Sequence, residues 1–347
     1  MSFSIKLVSW YQNNKRDLPW RKTVNPYHIW LSEIILQQTR VSQGTPYYLA
    51  FLKEFPKIED LANASEDKVL KMWQGLGYYS RARNLHFTAK DIVNNFKGEF
   101  PKDYMKVLKL KGIGFYTAAA ITSFAFDMPY AVVDGNVIRV LSRVFGVSLP
   151  FDSSVGKKHF QQLAQEFLIE KDAAVYNQAI MEFGAIQCKP KSPDCSSCPM
   201  QDFCVAYATN SVAELPVKSK KIKVKNRFLH YLMVEQGDDI FLGKRKSGIW
   251  TGLYEFPFLE FPIKMKESQV MQSDEWSKVF FNSKSAVHSV SMEFIHILSH
   301  QKIYAQFWQI KAADIVLDEY ELIPKNTLLE FPVSRLTEKY FETIELG

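Results

Sequence analysis

All four cysteines of this chain fall in one short window, as Cys188, Cys195, Cys198 and Cys204, spaced C-x6-C-x2-C-x5-C. Four thiols so close together could pair two by two only through cramped loops, so the pattern reads as a ligand set for one metal centre. Structural zinc normally takes two C-x2-C knuckles, whereas only Cys195 and Cys198 form such a pair here. A cubane iron-sulfur cluster is equally served by four thiolates. Spacing alone leaves zinc and a cluster open, with four unrelated buried thiols as the plainer alternative.

A length of 347 residues fits two domains better than one. Hydrophobic residues make up 47% of the chain, enough for true cores, and a formal charge of +6 permits a polyanionic partner without requiring one. No run reaches the ~20 apolar residues needed to span a bilayer. Met1 to Arg16 is too broken by polar groups to serve as the core of a signal peptide. The chain reads as soluble and cytoplasmic.

Composition changes near the middle. From Pro26 to Phe183 apolar residues recur at helical spacing, with a capped start at Asn25-Pro26-Tyr27 and breakers at Gly98 and Pro101, which predicts packed helices. The stretch Leu215 to Arg227, carrying Lys218, Lys220, Lys221, Lys223 and Lys225, reads as a basic linker. Beyond it Phe228 to Val234, Ile240 to Leu242 and Ile303 to Gln309 read as strands, joined by turn signals such as Gly237-Asp238-Asp239. The expected division is an all-α domain over 1–210 that includes the cysteine window, a linker over 211–227, and an α+β domain over 228–347.

In Lys111-Gly112-Ile113-Gly114-Phe115 two glycines stand between two helical patterns. A tight turn there exposes backbone N–H groups at a helix start, where the dipole also favours an anion, so it can hold a phosphate without reading a base. A mere interhelical turn is the alternative. Glu33 lies three or four positions from Ile29, Trp30, Leu36 and Gln37 on a predicted helix Tyr27 to Thr39, on or beside its apolar face. Burial would raise its pKa and let it act as an acid, while a structural carboxylate is the commoner use of such a residue. Asp134 precedes a predicted helix whose apolar face includes Val137, Ile138, Leu141, Val144 and Phe145. Besides capping that helix, it would be kept ionised by the dipole and the free N–H groups. One protonated and one charged carboxyl is the division of labour needed to cleave a glycosidic bond.

Trp30 to Thr39 (WLSEIILQQT), Gly75 to Arg81 (GLGYYSR), the glycine hairpin, Val133 to Val137 (VDGNV) and the cysteine quartet follow one another in this order. Over nearly the whole first domain the chain resembles the adenine DNA glycosylases of the MutY family, within the helix-hairpin-helix superfamily that also contains endonuclease III. The resemblance implies a 4Fe-4S cluster on Cys188, Cys195, Cys198 and Cys204, ordering a DNA-contacting loop. It implies a monomer that excises adenine mispaired with 8-oxoguanine or guanine from double-stranded chromosomal DNA. Glu33 would protonate adenine N7, and Asp134 would stabilise the oxocarbenium ion or bond transiently to C1′. Asn136 and Tyr116 would hold these groups in place.

Tyr116 stands where endonuclease III-like enzymes carry the lysine that forms a Schiff base, so a monofunctional glycosylase is expected. By the same resemblance Gln38 and Tyr78 would enter the base stack on the 8-oxoguanine side, and Leu76 would help wedge the duplex. Arg21 and Gln178 would line the adenine pocket, with Gln178 standing where some relatives carry Glu. Thr39, Gly112 and Gly114 complete the DNA-contacting set. In the second domain Gly248 to Pro257 (GIWTGLYEFP) resembles the opening of the family's Nudix-like domain. The R-E-x-x-E-E run that binds Mg2+ in Nudix hydrolases is missing, so pyrophosphate hydrolysis is not expected. Leu298-Ser299-His300 matches the family's F-S-H loop with Leu in place of Phe, and Ser299 would bond the N7–H and O8 of the lesion.

Overall fold

The computed structural model describes residues 2–219, 224–281 and 283–344. Lys220, Lys221 and Lys223 of the expected linker therefore lie outside the described residues, as do the last three residues of the expected second domain. The chain folds as two compact units, one of Met1–Asn63 and Asn84–Lys220, the other of Ala64–Arg83 and Lys221–Gly347.

In chain order the helices of the first half are α1 Phe3–Asn14, α2 Pro26–Leu36, α3 Val41–Glu54, α4 Ile58–Asn63, α5 Glu66–Met72 and α6 Ser80–Phe96. They continue as α7 Tyr104–Lys109, α8 Phe115–Phe126, α9 Gly135–Phe145, α10 Ser154–Glu166, α11 Ala173–Glu182 and α12 Val205–Ala208. The Asn25 side chain accepts the Tyr27 N–H at 2.9 Å and Pro26 occupies the first helical position, so α2 starts where the sequence signals it. It ends earlier than expected. Gln37 leaves the helical region, Gln38 has φ 57°, and the Thr39 N–H turns back to the Leu36 carbonyl at 3.2 Å.

α2 is apolar on nearly every side and α8 opposite it is built of small residues, Ala118, Ala119 and Ala120, which lets the two pack closely in the centre of the unit. α1, which the polar interruptions of its sequence concealed, packs on α11 through Phe3, Leu7 and Tyr11. A π-turn, Phe183–Gln187, follows α11 and leads into the cysteine window.

The second unit is an eight-stranded mixed sheet: β1 Lys225–Gln236, β2 Asp239–Lys244, β3 Tyr254–Glu255, β4 Phe258–Phe261, β5 Lys284–Val290, β6 Phe294–Ile297, β7 Gln301–Ala313 and β8 Glu321–Pro324. β1 and β7 run parallel at its centre; β2 and β4 pair antiparallel with β1, β5 and β6 with β7, and β3 and β8 with β2. The sequence signal marked only the apolar middles of β1, β2 and β7; the ladders extend them on both sides. Alternation sorts β1 cleanly. Leu229, Tyr231 and Met233 face α15 (Arg335–Phe341) with Phe307, while Leu232 and Val234 face α13 (Glu267–Met271) and α14 (Asp274–Phe280) with Trp308.

Ala64–Arg83 belongs to this unit because its polar side chains bond there. Lys71 Nζ donates to the Leu329 carbonyl at 2.6 Å and the Tyr79 hydroxyl to that of Val333 at 3.3 Å. Asp67 takes Lys244 and the Tyr254 hydroxyl, and Arg83 donates to the Thr251 carbonyl. Local helical periodicity in 64–83 gives no sign of this membership.

Candidate active site and iron-sulfur centre

α2 brings Glu33, α8 brings Tyr116, and the N-terminus of α9 brings Asp134 to the wall of one cavity of about 500 Å3. Gln37, Gln38 and Gly114 also line it. Glu33 is buried, and the Tyr116 hydroxyl donates to its Oε2 at 2.6 Å. Burial pushes the Glu33 carboxyl up to about 7; the phenol bond and Arg21 oppose that rise, and the charge of Asp134 adds to it. The rise is the one expected from burial on the apolar helix face.

Asp134 is half-buried and caps α9: Oδ1 accepts the Val137 N–H at 2.8 Å and Oδ2 accepts Asn136 Nδ2 at 2.7 Å. Burial nevertheless pushes its carboxyl above the usual range, against the Val137 and Asn136 donors and Arg139. The donors expected at the helix terminus are present, but desolvation in the cavity outweighs their effect on the carboxyl. Asp134 has three hydrogen-bond donors and a guanidinium favouring its anion, whereas Glu33 has one phenol and Arg21.

Arg21 and Gln178 stand together, but outside the residues that line the cavity. Arg21 Nη2 donates to Glu182 at 2.7 Å, and Gln178 Oε1 accepts from the Tyr11 hydroxyl at 2.7 Å. Gln38 is exposed in the left-handed region, and Thr39 is half-buried with its hydroxyl on the Gln37 carbonyl at 3.3 Å. At the glycine hairpin Gly112 has φ +79° and its place is closed by Asn84, while Gly114 opens α8 with free space around it and no side-chain cap. The free N–H groups of that helix start, beside exposed Lys109, Lys111 and Phe115, can take a phosphate.

In the second unit Tyr78, exposed and with φ 49°, meets Ser299: their hydroxyls are 2.8 Å apart although 221 residues separate them. Ser299 and His300 form the two-residue loop of the β6–β7 hairpin, closed by the Leu298 N–H on the Gln301 carbonyl at 2.8 Å. Tyr78, Ser299, His300, Trp250 and Arg83 line a cavity of about 350 Å3. Leu76 is buried in the free protein, so it does not project from the surface there.

Burial raises the thiols of Cys195, Cys198 and Cys204, with the neighbouring thiols adding to the rise, and brings Cys198 to about 11. Arg143 Nη1 stands 3.5 Å from Cys188 Sγ, and backbone N–H groups of Met200 and of Ala206 and Tyr207 point at Cys198 and Cys204. The guanidinium and these N–H groups favour the thiolate forms that a metal centre would need, against the larger effect of burial. The four cysteines are free of disulfides and half-buried, and four thiolates are what a cubane cluster takes as ligands. Arg139 joins the cysteine window to the cavity: Nε donates to the Cys188 carbonyl at 2.8 Å and Nη2 to Asn136 Oδ1 at 2.9 Å.

These observations agree with known proteins. Residues 31–166 match the family described as HhH-GPD superfamily base excision DNA repair protein, residues 188–204 the iron-sulfur binding domain of endonuclease III, and residues 230–343 the NUDIX domain. An adenine DNA glycosylase of Buchnera aphidicola subsp. Baizongia pistaciae is 36% identical over 86% of this chain and 83% of its own length. That of Mus musculus is 33% identical over 89% of this chain and 70% of its own. Among solved structures, a thermostable thymine-DNA glycosylase is 30% identical with a TM-score of 0.56, over 60% of this chain and 95% of that one. An endonuclease III in a non-covalent DNA complex, at 21% identity and TM-score 0.52 over 60% of this chain and 94% of that one, shares the fold.

The fold and the site thus define a helix-hairpin-helix DNA glycosylase of base excision repair that carries a 4Fe-4S cluster on Cys188, Cys195, Cys198 and Cys204. The chain belongs to the adenine DNA glycosylase family.

Proposed function

We propose that this glycosylase removes adenine lying opposite 8-oxoguanine or guanine in duplex DNA, by hydrolysis alone, as a cytoplasmic monomer. Its basis is the 2.6 Å bond from Tyr116 to a buried Glu33 whose carboxyl titrates at about 7, in a cavity shared with Asp134. Undamaged adenine is a poor leaving group, so protonation and stabilisation of the cationic sugar are both needed. The adenine turns out of the stack into the cavity, at a few kcal/mol. As the C1′–N9 bond breaks, its electron pair leaves with the base and N7 takes the Glu33 proton. Asp134 faces the positive sugar, water adds at C1′, and the proton it releases returns to Glu33. No lysine is among the residues lining the cavity, which favours hydrolysis over Schiff-base chemistry. The four thiolates bind the cluster, which fixes the 188–204 loop by iron-sulfur bonds.

Gln38 and Tyr78 are exposed side chains on left-handed backbone, a conformation costing roughly 1–2 kcal/mol for such residues and often kept for function. They suit insertion beside the flipped site. The Tyr78–Ser299 pair would read the base opposite adenine, Ser299 taking the lesion's extra polar groups.

Duplexes with adenine opposite 8-oxoguanine or guanine, and one with thymine glycol, test this. Abasic sites are expected opposite both purines, with breaks only after alkali, and Glu33→Gln should abolish excision while keeping mismatch affinity. Strand cutting without alkali, or action on thymine glycol, would overturn the proposal. Ser299→Ala with His300→Ala should reduce the preference for 8-oxoguanine over guanine about tenfold, since such contacts are worth about 1–3 kcal/mol.

A further inference from the structure

Glu182 takes no part in the steps above, yet its side chain has no exposed surface. It ends α11 immediately before the π-turn. Its Oε1 accepts the Arg16 backbone N–H at 2.9 Å and Arg16 Nε at 2.8 Å; its Oε2 accepts Arg16 Nη2 at 2.6 Å and Arg21 Nη2 at 2.7 Å. Arg21 is also tied through Nη1 to the Arg16 carbonyl at 3.1 Å, and its guanidinium stands 5.6 Å from the centre of the Tyr11 ring.

A lone carboxylate at this depth would be driven to its neutral form. The two guanidiniums instead keep Glu182 charged, with its pKa held at about 2. Arg16, Arg21 and Glu182 therefore act as a group of net charge +1, and the field of Arg21 reaches Glu33. Without the carboxylate the same group would carry +2.

We propose that Glu182 is a positioning residue for adenine excision: it fixes the Arg21 guanidinium near the catalytic cavity and offsets its charge, so that a cation can stand close to the acid without stripping its proton. This rests on Glu33 being the acid. The groups that act on Glu33 are Tyr116 from α8, Asp134 from the start of α9 and Arg21 from the turn Pro19–Arg21. α3 also packs on α2, but its charged Lys53 and Glu54 lie exposed at the far end of the helix. Glu182 is thus the buried anion that balances the cationic side of this set.

The test is the pH–rate profile of single-turnover excision by the full-length, cluster-loaded protein. Activity that needs a proton on Glu33 falls as pH rises through the pKa of that group, giving an alkaline limb. Glu182→Gln should move the limb to lower pH by about one unit, the order expected for one uncompensated charge several ångströms away. Arg16→Met takes the group from +1 to 0 and should move the limb the other way. Iron content and mismatch affinity report whether each variant is intact. A rate lowered equally at every pH with the limb in place would make Glu182 mere scaffold and overturn the proposal, as would shifts of the same sign in both variants. If Glu182→Gln loses its cluster, Arg16→Met decides alone: an upward shift supports the proposal, an unmoved limb sinks it. Retained excision in Glu33→Gln would instead overturn the assignment of the acid, a separate failure.

Discussion

At the scale of single residues, Glu33 is where the proposed function opposes stability. Its carboxyl is held at about 7 in the folded chain, against 4.5 when unperturbed, and burial is the main cause. The folded state thus favours the protonated form. Below pH 4.5 the group is neutral folded and unfolded and there is no penalty; as pH rises, the unfolded chain ionises first, and stability falls until about pH 7. Two and a half units correspond to about 3 kcal/mol at most. Glu33→Gln keeps the shape and removes the titration, so its stability relative to the unaltered protein should grow from near zero at pH 4.5 towards this value at pH 8. Hydrogen exchange of α2 and α8 amides measures it. A difference that does not change with pH would show that burial does not set the acidity of Glu33.

At the scale of elements, the two hairpin glycines have different duties. Gly112 is left-handed, and a Cβ there would stand 2.7 Å from Asn84 Cβ, whereas a Cβ on Gly114 would meet nothing within 4 Å. Gly112→Ala should cost about 1–3 kcal/mol and lower the thermal midpoint. Gly114→Ala should leave the midpoint in place but weaken DNA binding several-fold at fixed salt, because the new methyl group projects into the space before the α8 N–H groups. Equal melting of both variants would remove the packing role of Gly112. Elements of this kind were legible in sequence wherever a local rule acts: the Asn25 and Asp134 caps, the glycine turn, and the apolar middles of β1 and β7. What was not legible depends on distant chain. The end of α2 is set where Gln37 reaches Thr117, 80 residues away. α1 has too few apolar residues to announce itself before α11 covers it. Glu182 could have been suspected, as Glu33 was, from a charge set between Ile180 and Phe183. Its meaning came only with Arg16 and Arg21, 166 and 161 residues away.

At the scale of the whole molecule, the two units carry buried titrating groups whose pH responses run in opposite directions. In the first, Glu33 lowers stability as pH rises. In the second, His230 on β1 is 4% exposed, accepts the Trp308 Nε1–H on Nδ1 at 3.1 Å, and lies edge-on to the Phe261 ring. An imidazole that accepts at Nδ1 must leave that nitrogen unprotonated, and burial depresses its pKa to about 4 from 6.5, with Glu293 opposing. The fold favours the neutral ring. Above pH 6.5 both states are neutral and the contribution is complete; as pH falls, the unfolded chain takes up a proton first, and stability is lost until the folded ring titrates at about 4. The total is about 3 kcal/mol. His230→Asn offers an amide oxygen to Trp308 but nothing to titrate, and every other group cancels in the comparison. Because the β1 and β7 amides report on this sheet alone, their hydrogen exchange is the measurement that isolates it. Between pH 6.5 and pH 4 the unaltered protein should lose about 3 kcal/mol of protection relative to His230→Asn, with nearly all of the change below pH 6. Parallel curves for the two proteins would mean that His230 titrates alike in the folded and unfolded chain, and that neither burial nor the Trp308 bond holds the ring neutral.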